Sequence, residues 1–109
     1  MHHDDMEQQE LIDGRPVLRG IELRYFLTLT LRAAHGPLMV ARLIRSIEEA
    51  GFAIEGRPSK TVSDALRWEI RRGRVERVAR ATYWFRAAPR PTIHRMQKRI
   101  RERTQRRIV

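Results

Sequence analysis

Apolar side chains recur at helical spacing in four segments of this chain, and a fifth segment alternates instead. At about 100° per residue, residues 20–34, 40–50 and 61–72 each present an apolar face, which predicts three amphipathic helices. A narrower apolar stripe predicts a fourth, basic helix over residues 92–109. Between the third and fourth helices, residues 75–85 alternate between apolar and polar positions and predict a tight β-hairpin. The expected fold is therefore mostly α with one small hairpin.

The third predicted helix has two faces of opposite character. Its apolar face contains Val62, Ala65, Leu66, Glu69 and Ile70. Its polar face contains Lys60, Ser63, Asp64, Arg67 and Arg71. Ser59 or Thr61 is the expected N-cap, and Gly73 is typical of a helix C-terminus, so the helix is expected to end near Arg72. We expect the apolar face to pack and the polar face to enter a groove. Trp68 at its edge is expected to pack against the hairpin, with stacking on a bound sugar-phosphate backbone as the open alternative.

A resemblance to the bacterial winged helix-turn-helix superfamily lies in residues 61–85, TVSDALRWEIRRGRVERVARATYWF, which look like its recognition helix and wing. Similar segments occur in the N-terminal modules of abortive-infection antitoxins and in HARE-type winged-helix domains. The resemblance implies that the third helix enters the DNA major groove and that the hairpin contacts flanking phosphates. It also implies a short strand at Leu38 and Met39 beside the hairpin. Many members carry a glycine in the wing turn, where this chain has Arg80 and Ala81.

The net charge of the chain indicates the class of its partner. The 109 residues include 23 Lys or Arg against 13 Asp or Glu, a net charge of +10, which favours a polyanionic partner such as nucleic acid. The first 14 residues oppose the trend, with five acidic residues and no Lys or Arg. We therefore expect an acidic flexible arm over residues 1–14, a winged-helix domain over residues 15–88 and a basic C-terminal helix over residues 89–109.

The expected partner is double-stranded DNA, contacted from three parts of the chain. Ser63, Asp64 and Arg67 are the candidate base readers, because they lie in the N-terminal half of the third helix. The candidate phosphate contacts are Arg57, Lys60, Arg71, Arg74, Arg77 and Arg80 around the helix and hairpin, and Arg95, Lys98 and Arg99 on the last helix. The expected function is sequence-specific transcriptional regulation. Two alternatives stay open: an architectural, nucleoid-associated protein, and an antitoxin or adaptor whose basic surface meets an acidic protein.

On the pattern alone, two apolar stripes lack a partner. One contains Ile21, Tyr25 and Leu29 on the first helix, and the other contains Ile93, Met96 and Ile100 on the last helix. They can meet within one chain or between two chains. The proline-containing linker over residues 87–91 is expected to be stiff and to direct the last helix away from the hairpin. This favours contact between two chains, and the expected oligomer is a homodimer.

Absent motifs disfavour several function classes. The chain has no cysteine, which removes disulfides, thiol catalysis and cysteine-based zinc sites. It has no phosphate-binding glycine loop, no zinc-protease helix motif and no serine nucleophile elbow, so we expect neither an enzyme nor a cofactor, metal or small-molecule ligand. No apolar stretch approaches the roughly 20 residues that span a bilayer. We expect no membrane association and a location in the bacterial cytoplasm, at the nucleoid.

Overall fold

Helices dominate the part of the chain that the computed structural model describes, which is residues 10–108. The helices are α1 (Gly20–Ala33), α2 (Val40–Glu49), α3 (Pro58–Arg71) and α4 (Arg90–Ile108). The strands are β1 (Leu11–Ile12), β2 (Arg15–Pro16), β3 (Leu38–Met39), β4 (Val75–Ala79) and β5 (Thr82–Phe85). The prediction of a mostly α fold with a small hairpin is confirmed.

The main core lies between α1, α2 and α3. Its fully buried side chains include Leu27 and Leu31 from α1, Leu43 and Ile47 from α2, and Val62 and Leu66 from α3. Full burial of an aliphatic side chain of this kind stabilises the fold by about 1.5 to 3 kcal/mol, so the six together fix the orientation of α3. The predicted apolar face of α3 is wrong at Ile70, which is 37 % exposed.

The predicted hairpin consists of β4 and β5, and β3 extends it to a three-stranded antiparallel sheet in the order β3-β5-β4. Val75 lies opposite Phe85, near the point where the hairpin leaves the core. The turn lacks glycine, and Ala81 adopts a left-handed backbone with a φ of 54°. Its carbonyl accepts a hydrogen bond from the backbone N–H of Val40 at 2.9 Å. The hairpin tip is therefore tied to the first residue of α2.

The structure corrects the start of α3 and confirms its end. The helix begins at Pro58, whose fixed φ suits the first helical position, and Arg57 is an N-cap without a side-chain capping bond. Neither predicted N-cap residue caps the helix, because the Thr61 hydroxyl donates instead to the backbone carbonyl of Glu55 at 2.8 Å. Gly73 has a φ of 74° just after the last turn, the left-handed conformation expected of a glycine C-terminal cap.

α4 packs against α1 of the same chain, which corrects the argument for a dimer. Tyr25, Ile93 and Met96 form a second buried cluster, and Leu29 and Ile100 pack against it. Phe85 and Ala88 also border this cluster, so the linker folds back toward α1 instead of directing α4 away. Ile21 lies outside the cluster and is 37 % exposed. The two stripes cover each other within one chain and therefore no longer favour a homodimer.

The predicted acidic arm falls mainly on residues 1–9, which lie outside the described residues. Residues 11–14 form β1 and the turn of a small antiparallel hairpin with β2. The predicted domain boundary at residue 15 thus falls inside this hairpin. Val17 then bridges to Ala53, and Glu10 forms an ion pair with Arg19. The segment before α1 is tied in this way to the segment that leads into α3.

Candidate nucleic-acid interface

α3 presents its polar face away from the core. Because Val62, Ala65, Leu66 and Glu69 are buried, helical periodicity directs the intervening polar positions outward. Lys60, Arg67 and Arg71 are exposed, and Ser63 and Asp64 are half-buried. The structure therefore brings the candidate base readers of α3 together with its two candidate phosphate contacts on one side of the helix.

Asp64 neutralises the first half of this face. Its Oδ2 accepts a hydrogen bond from Lys60 Nζ at 2.8 Å, and its Oδ1 lies 3.7 Å from Arg67 Nη2. The Lys60 hydrogen bond lowers the pKa of the Asp64 carboxyl, and the charges of Lys60 and Arg67 act in the same direction. Asp64 is therefore a carboxylate at neutral pH. Solvent-exposed pairs of this kind are weak, so a DNA phosphate or guanine edge can replace the carboxylate.

The end of α3 and the hairpin carry arginines that have no carboxylate partner. Arg71, Arg72, Arg77 and Arg80 are exposed, and none of them forms an ion pair with a residue in the range 10–108. We call these four residues the unpaired arginines. Arg57, just before α3, is exposed and has no carboxylate partner in that range either. The unbalanced positive charge around α3 is therefore concentrated at its C-terminal end and in the hairpin.

Large apolar side chains lie exposed beside the unpaired arginines. They are Trp68 on α3, Val78 on β4 and Trp84 on β5. Trp68 is 49 % exposed and arginine side chains approach its ring, which favours the alternative of stacking on a partner over packing against the hairpin. Exposed aromatic residues among arginines are typical of surfaces that bind another macromolecule.

Arg74 does not belong to this surface, which corrects its assignment to DNA. Its Nη1 donates to both carboxylate oxygens of Glu69, at 3.1 and 3.2 Å, and its side chain is 14 % exposed. Glu69 is fully buried and also accepts hydrogen bonds from Thr28 Oγ1 at 2.8 Å and Arg24 Nε at 3.0 Å. This network joins α1, α3 and the segment before β4, and it fixes the direction in which the hairpin leaves α3.

The sequence contains a signal for this network, which the predicted set of DNA contacts overlooked. Glu69 stands within an otherwise apolar helix face, and a carboxylate that is forced into a core needs cations or hydrogen-bond donors around it. The nearby Arg74 was a candidate for that role. Which other residues complete the network depends on the packing of α1, which the periodicity of α3 does not reveal.

Glu22 holds α4 against α1. Its carboxylate accepts hydrogen bonds from Arg99 Nε at 3.0 Å, Arg103 Nε at 3.1 Å and Arg106 Nη2 at 3.3 Å. Arg103 is almost completely buried and also donates to the backbone carbonyl of Val17 at 3.3 Å. Three cations of the basic last helix are therefore used to attach that helix to the domain.

The α4 residues predicted to contact phosphates fall into two groups. Arg99 is bound to Glu22, and Lys98 Nζ lies 3.2 Å from a carboxylate oxygen of Glu102. Arg95 is exposed and forms no ion pair within the described residues. Of the three, only Arg95 keeps an unbalanced charge.

Shallow grooves flank α3 on two sides. One, of about 560 Å³, lies between the start of α1 and α3, and its lining includes Ile21, Arg24 and Trp68. Another, of about 400 Å³, lies between the end of α3 and the hairpin, and its lining includes Ile70 and Arg77. The exposed side of α3, the hairpin and the start of α1 therefore form one continuous candidate surface.

Comparison with known proteins gives no relative on which to base a function. No family model, curated protein or solved structure matches this chain. The resemblance to winged helix-turn-helix proteins therefore stays a prediction, and the interface is interpreted from its own geometry. No helix within residues 10–108 is long and apolar enough to cross a membrane.

Proposed function

We propose that this protein binds double-stranded DNA as a winged-helix domain, with α3 in the major groove and the β4–β5 hairpin along the adjacent backbone. The element order α1, β3, α2, α3, β4, β5 supports the proposal, because the resemblance implies this succession of helices, short strand and hairpin. The observation that carries the proposal is the exposure of the unpaired arginines at the end of α3 and in the hairpin.

Leaving these arginines without a counter-charge costs electrostatic free energy. Neighbouring cations repel each other, and no carboxylate among residues 10–108 pairs with any of the four. Guanidinium groups bind phosphate oxygens through two parallel N–H donors, which makes a phosphate backbone a fitting counter-charge. Four such contacts release condensed counterions, so the logarithm of the binding constant falls with the logarithm of salt concentration by a slope of about −3 to −4.

The residues proposed to contact base edges are Ser63, Asp64 and Arg67, in the N-terminal half of α3. Arg67 can donate two hydrogen bonds to a guanine edge once it leaves Asp64, and Asp64 can accept from a cytosine amine. Since the Asp64 contacts are exposed and weak, this exchange has a small energetic cost. A protein that reads bases in this way serves as a sequence-specific transcriptional regulator.

One observation favours a second candidate, an architectural DNA-binding protein. Asp64 pairs with Lys60 and Arg67 where base reading is proposed, whereas the unbalanced charges lie where phosphate contact is proposed. A surface of that kind binds the DNA backbone more strongly than it discriminates among bases.

Selection from a pool of random duplexes, followed by fluorescence anisotropy at several salt concentrations, tests both candidates. A regulator enriches one motif and binds it about a thousandfold or more tightly than unrelated duplex. An architectural protein enriches no motif but keeps the steep salt dependence. Failure to bind any duplex at low salt contradicts the proposal and favours the adaptor or antitoxin alternative.

A further inference from the structure

Three arginine side chains surround one exposed indole ring at the junction of α1 and α3. The Cζ atoms of Arg24, Arg71 and Arg72 lie 5.6, 5.3 and 6.0 Å from the centroid of Trp68. Arg24 comes from α1, whereas the other two follow one another at the C-terminal end of α3. We call these four side chains the Trp68 cluster.

The Trp68 cluster contains more positive than negative charge. The one carboxylate bound to it within the described residues is Glu69, which Arg24 shares with Arg74. Arg24 and Arg74 thus share a single buried carboxylate, and Arg71 and Arg72 have no ion pair within residues 10–108. The indole attracts each cation by about 0.5 to 1 kcal/mol at an exposed site, but it does not cancel their mutual repulsion.

The missing partner of the cluster is an oxyanion. Arg24 is positioned in advance, because its Nε donates to the buried Glu69 and its side chain is 16 % exposed. Its two terminal nitrogens have no hydrogen-bond partner within residues 10–108, so they are available beside Trp68. A guanidinium held rigidly by a buried carboxylate binds a phosphate at a lower entropic cost than a mobile one does.

We propose that the Trp68 cluster binds a backbone phosphate of DNA, so that α1 contributes to the interface through Arg24. The choice of DNA as the source of the phosphate rests on the proposed function. It is supported by the continuity of the cluster with the unpaired arginines, two of which belong to both sets, and by its position on an open surface beside a groove, where an extended backbone has access. Arg24 is the residue of this cluster that the sequence pattern did not indicate as a DNA contact.

The two tryptophans of the chain allow a direct test, since Trp84→Phe leaves Trp68 as the only tryptophan. The emission of Trp68 in this variant is titrated with inorganic phosphate, at constant ionic strength maintained by chloride, and separately with a duplex. We expect both ligands to change the emission, and we expect a further Arg71→Gln/Arg72→Gln change to abolish the response to both. A matched removal of two exposed charges outside the cluster, Arg45→Gln on α2 and Arg101→Gln on α4, is expected to leave the Trp68 response intact.

The Arg72→Gln variant separates this site from α3 as a whole. Loss of one phosphate contact is expected to weaken duplex binding about tenfold near 0.1 M salt and to reduce the salt slope by about 1. Circular dichroism and thermal melting show whether the variant remains folded. Unchanged affinity and slope in a folded Arg72→Gln variant contradict the proposal.

Anisotropy of a labelled duplex distinguishes failure of this inference from failure of the proposed function. If the duplex binds while Trp68 emission is unchanged, DNA binding stands and the phosphate site at Trp68 is overturned. If no duplex binds but inorganic phosphate still changes Trp68 emission through Arg71 and Arg72, the source of the oxyanion is free phosphate and both proposals concerning DNA are overturned. If neither ligand affects Trp68, the cluster is not an oxyanion site.

Discussion

The arginines of α4 and those around the end of α3 and the hairpin are similarly dense in the sequence, but the structure uses them differently. On α4, Arg99, Arg103 and Arg106 converge on Glu22 and attach the helix to α1. The unpaired arginines have no carboxylate within the described residues. Three arginines of α4 share one carboxylate within the fold, whereas the unpaired arginines keep their charge available for a partner.

Counting cations along a chain therefore locates a binding surface poorly. Two acidic residues decide the outcome, because Glu22 neutralises part of α4 and Glu69 withdraws Arg74 from the hairpin surface. A single carboxylate at a buried or half-buried position therefore determines which basic segments serve folding and which remain free to bind.

The largest expected effect follows removal of the buried carboxylate. Glu69→Ala leaves Arg24 and Arg74 buried without a counter-charge, and we expect a loss of about 3 to 5 kcal/mol in the free energy of unfolding. Denaturant titration measures it. The matched control is Glu76→Ala, an exposed carboxylate on β4 whose loss is expected to cost about 0.5 kcal/mol or less. Equal effects of the two substitutions would mean that Glu69 is not buried as described.

A smaller loss of stability is expected where α4 is attached. Glu22→Ala removes hydrogen bonds from three arginines, two of them half-exposed, and we expect a loss of about 2 kcal/mol. Denaturant titration compares it with Glu102→Ala, which removes only an exposed pair with Lys98. Hydrogen exchange should rise first in α4. An unchanged stability would show that α4 does not depend on Glu22 for its place on α1.

Asp64→Asn tests whether Asp64 competes with DNA for the cations of α3. It frees Lys60 and Arg67 and removes a negative charge from the exposed side of α3, so we expect duplex affinity to rise about threefold to tenfold in low salt. Anisotropy with non-specific duplex measures the change. Glu48→Gln on α2 is the matched control, since it also removes an exposed negative charge. An unchanged or weaker affinity for this duplex would contradict the competition between Asp64 and the DNA phosphates for Lys60 and Arg67.

The ionisation of Asp64 determines how duplex binding is expected to depend on pH. The folded-state pKa of Asp64 is lowered, so its stabilising contribution is present above the unfolded pKa and is lost as the pH falls through the folded pKa. Between about pH 5 and 8 Asp64 stays ionised, and it contributes no change in duplex affinity over that range. Wild-type and Asp64→Asn titrations in parallel from pH 5 to 8 should therefore differ by a constant factor. A ratio of the two duplex affinities that changes within this range would contradict the lowered pKa of Asp64.

The smallest expected effect concerns the hairpin tip. Ala81 has a left-handed φ, which costs an L-residue about 1 to 2 kcal/mol, and glycine removes that cost. Glycine also raises the conformational entropy of the unfolded chain, which lowers the free energy of unfolding by about 0.4 to 1 kcal/mol. We expect Ala81→Gly to stabilise the protein by about 0.5 kcal/mol. Thermal melting measures the gain against Ala79→Gly, which lies within β4 and should destabilise. Destabilisation by Ala81→Gly would contradict the left-handed turn.

Most elements of this fold are predictable from sequence, because their apolar residues repeat at the spacing of a helix or a strand. Apolar spacing predicted the helices and the hairpin, and Gly73 marked the end of α3. The start of α3 was missed because Pro58 begins the helix without a side-chain cap. Strands β1 and β2 were missed because two residues are too few to show alternation.

The candidate site was less predictable, because ion-pair partners are chosen by tertiary packing. Arg99 binds a carboxylate 77 residues away, and no local pattern of α4 indicates that contact. The position of α4 was mispredicted for a related reason. The linker is rich in proline, but packing of Phe85 and Ala88 beside Tyr25 directs it back toward α1.

In the proposed interface the hairpin and the end of α3, rather than α4, supply the phosphate contacts. This assignment is tested most directly by the salt dependence of duplex binding for the wild type, Arg77→Gln/Arg80→Gln and Lys98→Gln/Arg99→Gln. We expect the hairpin variant to lose about 2 units of slope and about a hundredfold in affinity near 0.1 M salt. The α4 variant should lose less than about 0.5 units of slope, because the proposed interface does not include Lys98 or Arg99. A larger loss in the α4 variant than in the hairpin variant would contradict the account.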